Sequence, residues 1–300
     1  MSDDRKFEVS PLQQRGTVLN VWSTRDPDQR VRGWADGAAR GEPQSAPSLG
    51  DTPLAALPFL SAEELALVRT CGASRRLVRA GTELSREGEL TDNLHFLEDG
   101  WACQYSITRD GRRQISAVLL PGDVCNLDAL LFRRLNIGVR TLTAATVISV
   151  PRDRVATLAA KAPGVTQCFT WLSIIENAIL SRRMLCLGRL SARERLAHLF
   201  CELAVRLGHV RSEGEISFDM PLTQEHLADA LGLTPVHLNR TIQLLRSEKL
   251  LSLTRRTIVI HDVSALRCAG EFQPGYLRLA ELQDAKGGAP LAPQAVAGVR

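Results

Sequence analysis

The stretch Leu222–Arg246, LTQEHLADALGLTPVHLNRTIQLLR, constrains this chain more than any other. Its residues dictate two short helices joined by a tight turn. Thr223 is a good N-cap, and Glu225 puts negative charge near the positive end of the first helix. Leu227, Ala228 and Leu231 give that helix an apolar face, and Gly232 supplies a sharp exit. Thr234 caps the second helix, and Pro235 sits at its first position, where a missing N–H costs nothing. Leu238, Ile242 and Leu245 share one face and pack inward. Val236, Arg240, Gln243 and Ser247 point the opposite way, with His237 and Asn239 on the flanks. A short helix that buries one face and offers Asn, Arg and Gln on the other suits the major groove of DNA. The pair is therefore expected to be a DNA-binding helix-turn-helix.

An ordinary helical hairpin would show much of the same pattern. The residues just downstream separate the two. Lys249-Leu250-Leu251 and Leu253 lead to a turn carrying Arg255 and Arg256, then to Thr257-Ile258-Val259-Ile260: strand, basic turn, strand, the wing of a winged helix. Arg255 and Arg256 at that tip, and Thr223 and Thr234 at the helix N-termini, are the candidate phosphate contacts.

Upstream, the periodicity changes. Residues 1–52 carry Pro11, Pro27, Pro43 and Pro47 without sustained patterning and read as a disordered extension. Leu54–Cys71 has helical spacing, with Ser61 and Glu64 as a capping box. Short strand-like runs then alternate with turn residues: Arg75–Val78, Leu94–Leu97, Ala102–Thr108, Gln114–Leu119 and Thr141–Val150. Asp99-Gly100, Asp110-Gly111 and Pro121-Gly122-Asp123 punctuate them, which predicts a small antiparallel barrel or roll over residues 53–162. From Pro163 a long helix runs to about residue 190. Val165, Cys168, Leu172, Ile175 and Ile179 alternate three and four apart along it, the spacing of a coiled-coil seam, and are the expected homodimer interface. A further helix, Ser191–Leu207, opens a DNA-binding domain over 191–270, and residues 271–300 form a tail expected to be largely disordered after about 283. The fold class is thus α+β.

Charge and composition agree with this reading without deciding it. The net charge is +4, and Arg182–Arg256 holds twelve basic against eight acidic residues, so the excess sits on the DNA-binding part. No uncharged apolar run approaches the ~18 residues of a membrane span, and no apolar signal region follows Met-Ser-Asp-Asp, so a cytoplasmic protein is expected. Seven scattered cysteines, with no Cys-x-x-Cys, point to free thiols rather than to a metal site or other cofactor. The chain has no Gly-x-x-x-x-Gly-Lys-Ser/Thr, His-Glu-x-x-His or Gly-x-Ser-x-Gly, so an enzyme is not expected.

A roll, a long helix and a winged helix in this order resemble the Crp/Fnr family of bacterial transcription regulators, over about Leu54–Leu279. The most specific matches are Pro121-Gly122-Asp123, Arg193-Glu194-Arg195-Leu196-Ala197 and Leu222–Arg246. The resemblance implies a dimer that reads a palindromic duplex-DNA operator and works with RNA polymerase. It places the base-reading positions on Val236, Asn239 and Arg240, with His237 and Gln243 beside them. Arg240 suits a guanine, whereas Val236 stands where many members carry a glutamate that accepts from cytosine, so a different half-site is expected.

The sensor departs further. Cyclic-AMP-binding members hold the ribose with Gly-Glu and the phosphate with Arg-Ser or Arg-Thr. Those pairs fall on Asn126-Leu127 and about Leu135-Asn136 here, with no guanidinium for a buried phosphate. Arg140-Thr141 could supply one if the intervening loop is shorter than in those members. Asn126, Leu127, Arg140 and Thr141 are therefore the candidate effector pocket, and a module that depends on cyclic AMP is the alternative reading. The oxygen-sensing members' N-terminal cysteine cluster has no counterpart, because no Cys precedes Cys71. No effector carries over.

Overall fold

The computed structural model describes residues 46–209, 214–254 and 256–286. Ordered structure begins before residue 53: Ser48 caps a short 3-10 helix, pairs with Gly72, and Leu49 is fully buried. The extension assigned to residues 1–52 is therefore too long at its C-terminal end, and residues 1–45 lie outside the described residues.

Helix α1 (Ala62–Thr70) starts where the capping box places it, with the Ser61 hydroxyl accepting from the Glu64 N–H. Two antiparallel sheets follow. One has the order β1 (Ser74–Val78), β7 (Ala145–Pro151), β3 (Asn93–Asp99); the other has β2 (Glu83–Ser85), β6 (Gly138–Thr141), β4 (Ala102–Ile107), β5 (Arg113–Leu119). Leu84, Leu97, Leu119, Val139 and Val147 fill the space between them. The expected single strand Thr141–Val150 is in fact two. Leu142–Ala144 form a turn in which the Leu142 N–H donates to the Trp101 carbonyl, so β6 and β7 join different sheets.

A short helix, α2 (Arg152–Lys161), closes the roll, and α3 (Pro163–Arg189, 27 residues) leads away from it. The C-terminal winged helix comprises α4 (Ala192–Arg206), β8 (Ile216–Asp219), α5 (Gln224–Leu231), α6 (Pro235–Ser247), β9 (Leu251–Leu253), β10 (Thr257–Ile260) and α7 (Val263–Ala269). The wing hairpin gains a third strand, in the order β8-β10-β9. The tail does not leave the molecule. A 3-10 turn at Pro274–Leu277 and α8 (Leu279–Lys286) fold back, burying Leu277 and Leu282. Residues 287–300 lie outside the described residues. Among the described residues no helix is long and apolar enough to cross a membrane.

Candidate nucleic-acid interface

The local signals of the helix pair translate directly into geometry. The Thr223 hydroxyl accepts from the His226 N–H at 3.1 Å, and the His226 ring in turn accepts from the Thr223 N–H. Gly232 ends α5 at φ +63°, a left-handed conformation that costs glycine nothing. The Thr234 hydroxyl accepts from the His237 N–H at 3.3 Å, one residue before Pro235 starts the helix proper. On α6, Leu238, Ile242 and Leu245 are buried, while Val236, His237, Asn239, Arg240 and Gln243 are all exposed. Each capping hydroxyl uses its oxygen as an acceptor and keeps its proton for donation, so Thr223 and Thr234, both exposed, are free to donate to a phosphate. Arg256 is exposed between β9 and β10; Arg255 lies outside the described residues.

The Arg193-Glu194-Arg195-Leu196-Ala197 run explains how this head is held. Glu194 completes a capping box with Ser191 at the start of α4. Arg193 forks onto Glu248, just past the end of α6, at 2.7–2.9 Å. Arg195 donates to the Leu231 carbonyl at the end of α5, at 2.9 Å, and Leu196 and Ala197 are fully buried.

Two polar joints between this part and the roll escape sequence reasoning. On β5, Arg113 pairs with Asp229 of α5 at 2.7 Å and reaches Glu225 at 3.4 Å. Deeper, Arg206 of α4 donates to the Asp123 carboxylate in the Pro-Gly-Asp turn and to the Val118 carbonyl. Glu202, one turn earlier, accepts from Arg183 of α3 and from the Tyr276 hydroxyl at 2.8 Å. Arg183 also donates to the Ser116 carbonyl. Arg206 and Glu202 are both buried, and the Arg182 guanidinium lies over the Tyr276 ring at 5.3 Å.

The four effector-pocket candidates are not brought together. The Asn126 side chain accepts from the His95 N–H and donates to the Asn93 carbonyl, both on β3. Arg140 bonds the Gly81 carbonyl and pairs with Glu83. The Thr141 hydroxyl accepts from Thr82 N–H and donates to the Arg79 carbonyl. Leu127 alone lines a cavity, at the junction of the roll with α3.

The expected dimer seam also needs correction. Val165 and Cys168 are fully buried within their own chain, among Leu49, Leu54 and Val155; Leu172 packs at the edge of that cluster. Ile175 and Ile179 belong to a core containing Val118, Leu199 and Phe200. Heptad spacing reveals an apolar face but not what covers it, and here the chain's own domains do. The uncovered stripe is turned by about one residue: Thr170, Ile174, Asn177, Ser181, Met184 and Gly188, spaced four and three apart, with Leu180, Leu185 and Leu187 beside it.

With this geometry in place, the comparisons are consistent. A Crp-like helix-turn-helix domain model matches residues 194–269, and a cyclic nucleotide-binding domain model matches residues 75–162. The nitrogen fixation regulation protein FixK of Azorhizobium caulinodans is 28% identical over 188 residues, covering 62% of this chain and 75% of that protein. The transcriptional activator protein FnrL of Cereibacter sphaeroides is 29% identical over 195 residues, covering 64% and 78%. The structure of FixK2 from Bradyrhizobium japonicum superposes with a TM-score of 0.60 at 26% identity, covering 66% of this chain and 96% of that one. The chain belongs to the Crp/Fnr family of transcription regulators. In this Crp/Fnr protein the roll is cyclic-nucleotide-binding-like in fold, and Arg140, the one arginine among the effector-pocket candidates, donates through its Nε to the Gly81 carbonyl and lies 3.5 Å from Glu83.

Proposed function

We propose that this Crp/Fnr protein is a cytoplasmic homodimer that binds a palindromic DNA operator through α6 and regulates transcription by RNA polymerase, acting by binding rather than by turnover. The observation that carries this reading is the division of α6: one face sealed by Leu238, Ile242 and Leu245, the other wholly exposed with Val236, His237, Asn239, Arg240 and Gln243. The capped N-termini at Thr223 and Thr234 and the wing arginines Arg255 and Arg256 supply phosphate contacts around it. The exposed Ile174–Met184 stripe of α3 supports dimerisation, which sets two recognition helices about one helical turn of DNA apart. Asn126 and Thr141 spend their side chains on backbone groups of β3 and of residues 79–82, which argues for an effector other than a cyclic nucleotide.

Selection from random duplexes, followed by titration of single-base variants at several salt concentrations, tests the reading. Arg240→Ala should flatten preference at one symmetric position per half-site, a loss of about 1–3 kcal/mol of discrimination. Arg256→Ala should weaken all sequences alike and lower the salt slope by about one phosphate contact per subunit. A uniform loss for Arg240→Ala would make Arg240 a phosphate contact and refute the assigned reading face.

A further inference from the structure

The first turn of α5 is held by a side chain that titrates. A capping box pairs a Ser or Thr at the N-cap with an acceptor three residues on, ordinarily Glu or Gln. Here that third residue after Thr223 is His226. The box closes in both directions: the Thr223 hydroxyl accepts from the His226 N–H at 3.1 Å, and the Thr223 N–H donates to His226 Nδ1 at 3.3 Å. A ring nitrogen accepts only while it carries no proton, so the box requires the neutral ring with its hydrogen on Nε2. Once protonated, Nδ1 and the Thr223 N–H are two donors facing each other. The imidazolium also adds positive charge at the positive end of a helix dipole. A glutamine at this position would accept at every pH.

The ring is half-buried where α5 packs on β5 of the roll. The charged groups acting on it are Arg113 of β5, Arg140 of β6, and Glu225 and Asp229 of α5 itself. Burial holds its pKa below the ordinary imidazole value. Arg113 and Arg140 act in the same direction, and the two carboxylates, both within reach of Arg113, oppose them. The folded chain thus keeps the ring neutral at a pH where the unfolded chain protonates it. The cap is complete at neutral pH and is lost as pH falls below the ordinary imidazole range.

We propose that His226 is a positioning residue for DNA: its neutral ring fixes the N-cap residue Thr223, whose hydroxyl is assigned above to phosphate, so that acid weakens operator binding by breaking the box. The Thr223 backbone is pinned by the ring while its hydroxyl proton stays free to donate outward. Losing the ring as an acceptor releases the residue that carries the phosphate contact. The effect on DNA rests on the function proposed for α5 and α6; the tautomer and the cap do not.

The test uses the full chain with isotope-labelled histidine and the operator duplex obtained by selection. Ring nitrogen shifts should show the Nε2–H tautomer of His226 at neutral pH and protonation below the ordinary value. Operator affinity at fixed ionic strength should fall at least about fivefold between about pH 7.5 and about pH 5, since losing even a weak cap is a factor of roughly two per subunit and a dimer counts it twice. His226→Gln, which keeps an acceptor and does not titrate, should hold the neutral-pH affinity and lose the fall. His226→Leu should bind weakly at every pH. Amide exchange of Thr223, corrected for its intrinsic pH dependence, should speed up in acid in the natural chain but not in His226→Gln, a readout that stands even if His226→Leu does not fold. Each series is repeated in His237→Ala, because that second ring lies exposed on α6 and its protonation strengthens attraction to DNA. An Nδ1–H tautomer, protonation above the ordinary value, undiminished affinity in His226→Leu, or an acid fall that survives in His226→Gln would overturn the proposal. Binding to no duplex at any pH would refute the regulator reading, whereas tautomer and exchange would still decide the cap.

Discussion

Adjacent residues on α3 provide a sharp test of the proposed dimer. Ile174 is 56% exposed and Ile175 is 7% exposed. Replacing each with aspartate should have opposite consequences. In Ile174→Asp the subunit loses little, because most of that side chain is already in water. Fully burying an isoleucine is worth about 1.5–3 kcal/mol, so covering its exposed half in a dimer contributes about 1–1.5 kcal/mol per subunit. A two-fold interface counts this twice, and two unpaired carboxylates facing each other near the axis add to the loss. The total is about 3–5 kcal/mol, or roughly two to four orders of magnitude in dimer dissociation constant. In Ile175→Asp the damage is internal. Deleting a buried isoleucine side chain costs about 2–5 kcal/mol before the charge is considered, against a typical whole-domain stability of about 5–15 kcal/mol. Sedimentation equilibrium over a concentration series, paired with urea unfolding of each variant, distinguishes them. Ile174→Asp should be a folded monomer and Ile175→Asp a destabilised chain. A dimeric Ile174→Asp protein together with a stably folded, monomeric Ile175→Asp protein would refute the assignment and return the seam to the Val165–Ile179 face.

Arg206→Met should destabilise by about 3–5 kcal/mol in denaturant unfolding, because it strips a buried guanidinium from Asp123; adding Asp123→Asn should recover part of that loss, and no recovery would mean the pair is not the cause. Arg113→Asp should loosen α5 from β5, seen as faster amide exchange along α5, with a cost of about 1 kcal/mol for this partly exposed pair; Asp229→Arg in the same chain should restore protection. His95 is buried against Ser149, and desolvation, helped by Arg76, lowers its pKa to about 4. The unfolded chain therefore takes up a proton near pH 6.5 that the folded chain refuses until about pH 4, so stability present at neutral pH is lost as pH falls through that window. Between pH 7 and pH 5 this group should remove about 2 kcal/mol, and urea titrations of His95→Gln should show a correspondingly flatter pH dependence.

The helix pair was legible in the sequence because each of its signals is local. Thr223, Gly232, Thr234 and Pro235 fix two helix ends and a turn within a dozen or so residues, and the polar face of α6 follows from spacing alone. Most roll strands were legible for the same reason, from alternation and Asp-Gly turns. The misses share a different origin. Helix α2 begins at Arg152 without a side-chain cap, so nothing announces it. β2 is three residues long, too short for a period to show. Asp123 and Arg206 are 83 residues apart, and Glu202 and Arg206 have the spacing of an ordinary solvent-exposed helix pair. The seam error is of the same kind: which side of α3 is covered depends on Leu49, Leu54 and Phe200, all distant in sequence.

The placement of charge in this molecule separates folding from docking. Within the roll and within the winged helix, the cores are apolar: Leu97 and Val147 in one, Leu238, Leu245 and Ile258 in the other. Between them, apolar contact continues, from Val118 and Leu120 through Ile179 to Leu199 and Phe200, but ions and hydroxyls cross it: Arg113 with Asp229, Arg206 with Asp123, Arg183 and Tyr276 with Glu202. Apolar contact alone tolerates small sliding, because burial depends on area and not on direction. A buried ion does not, since a shift that breaks one bond leaves a charge uncompensated in a dry site. Asp123 shows the consequence. Its carboxylate accepts both from Arg206 and from the Leu120 N–H of its own turn, so the turn that shapes the roll and the joint that seats α4 share one side chain. Displacing that carboxylate disturbs both at once. A sensor built on such a joint changes by switching between discrete arrangements, because intermediate positions satisfy neither partner.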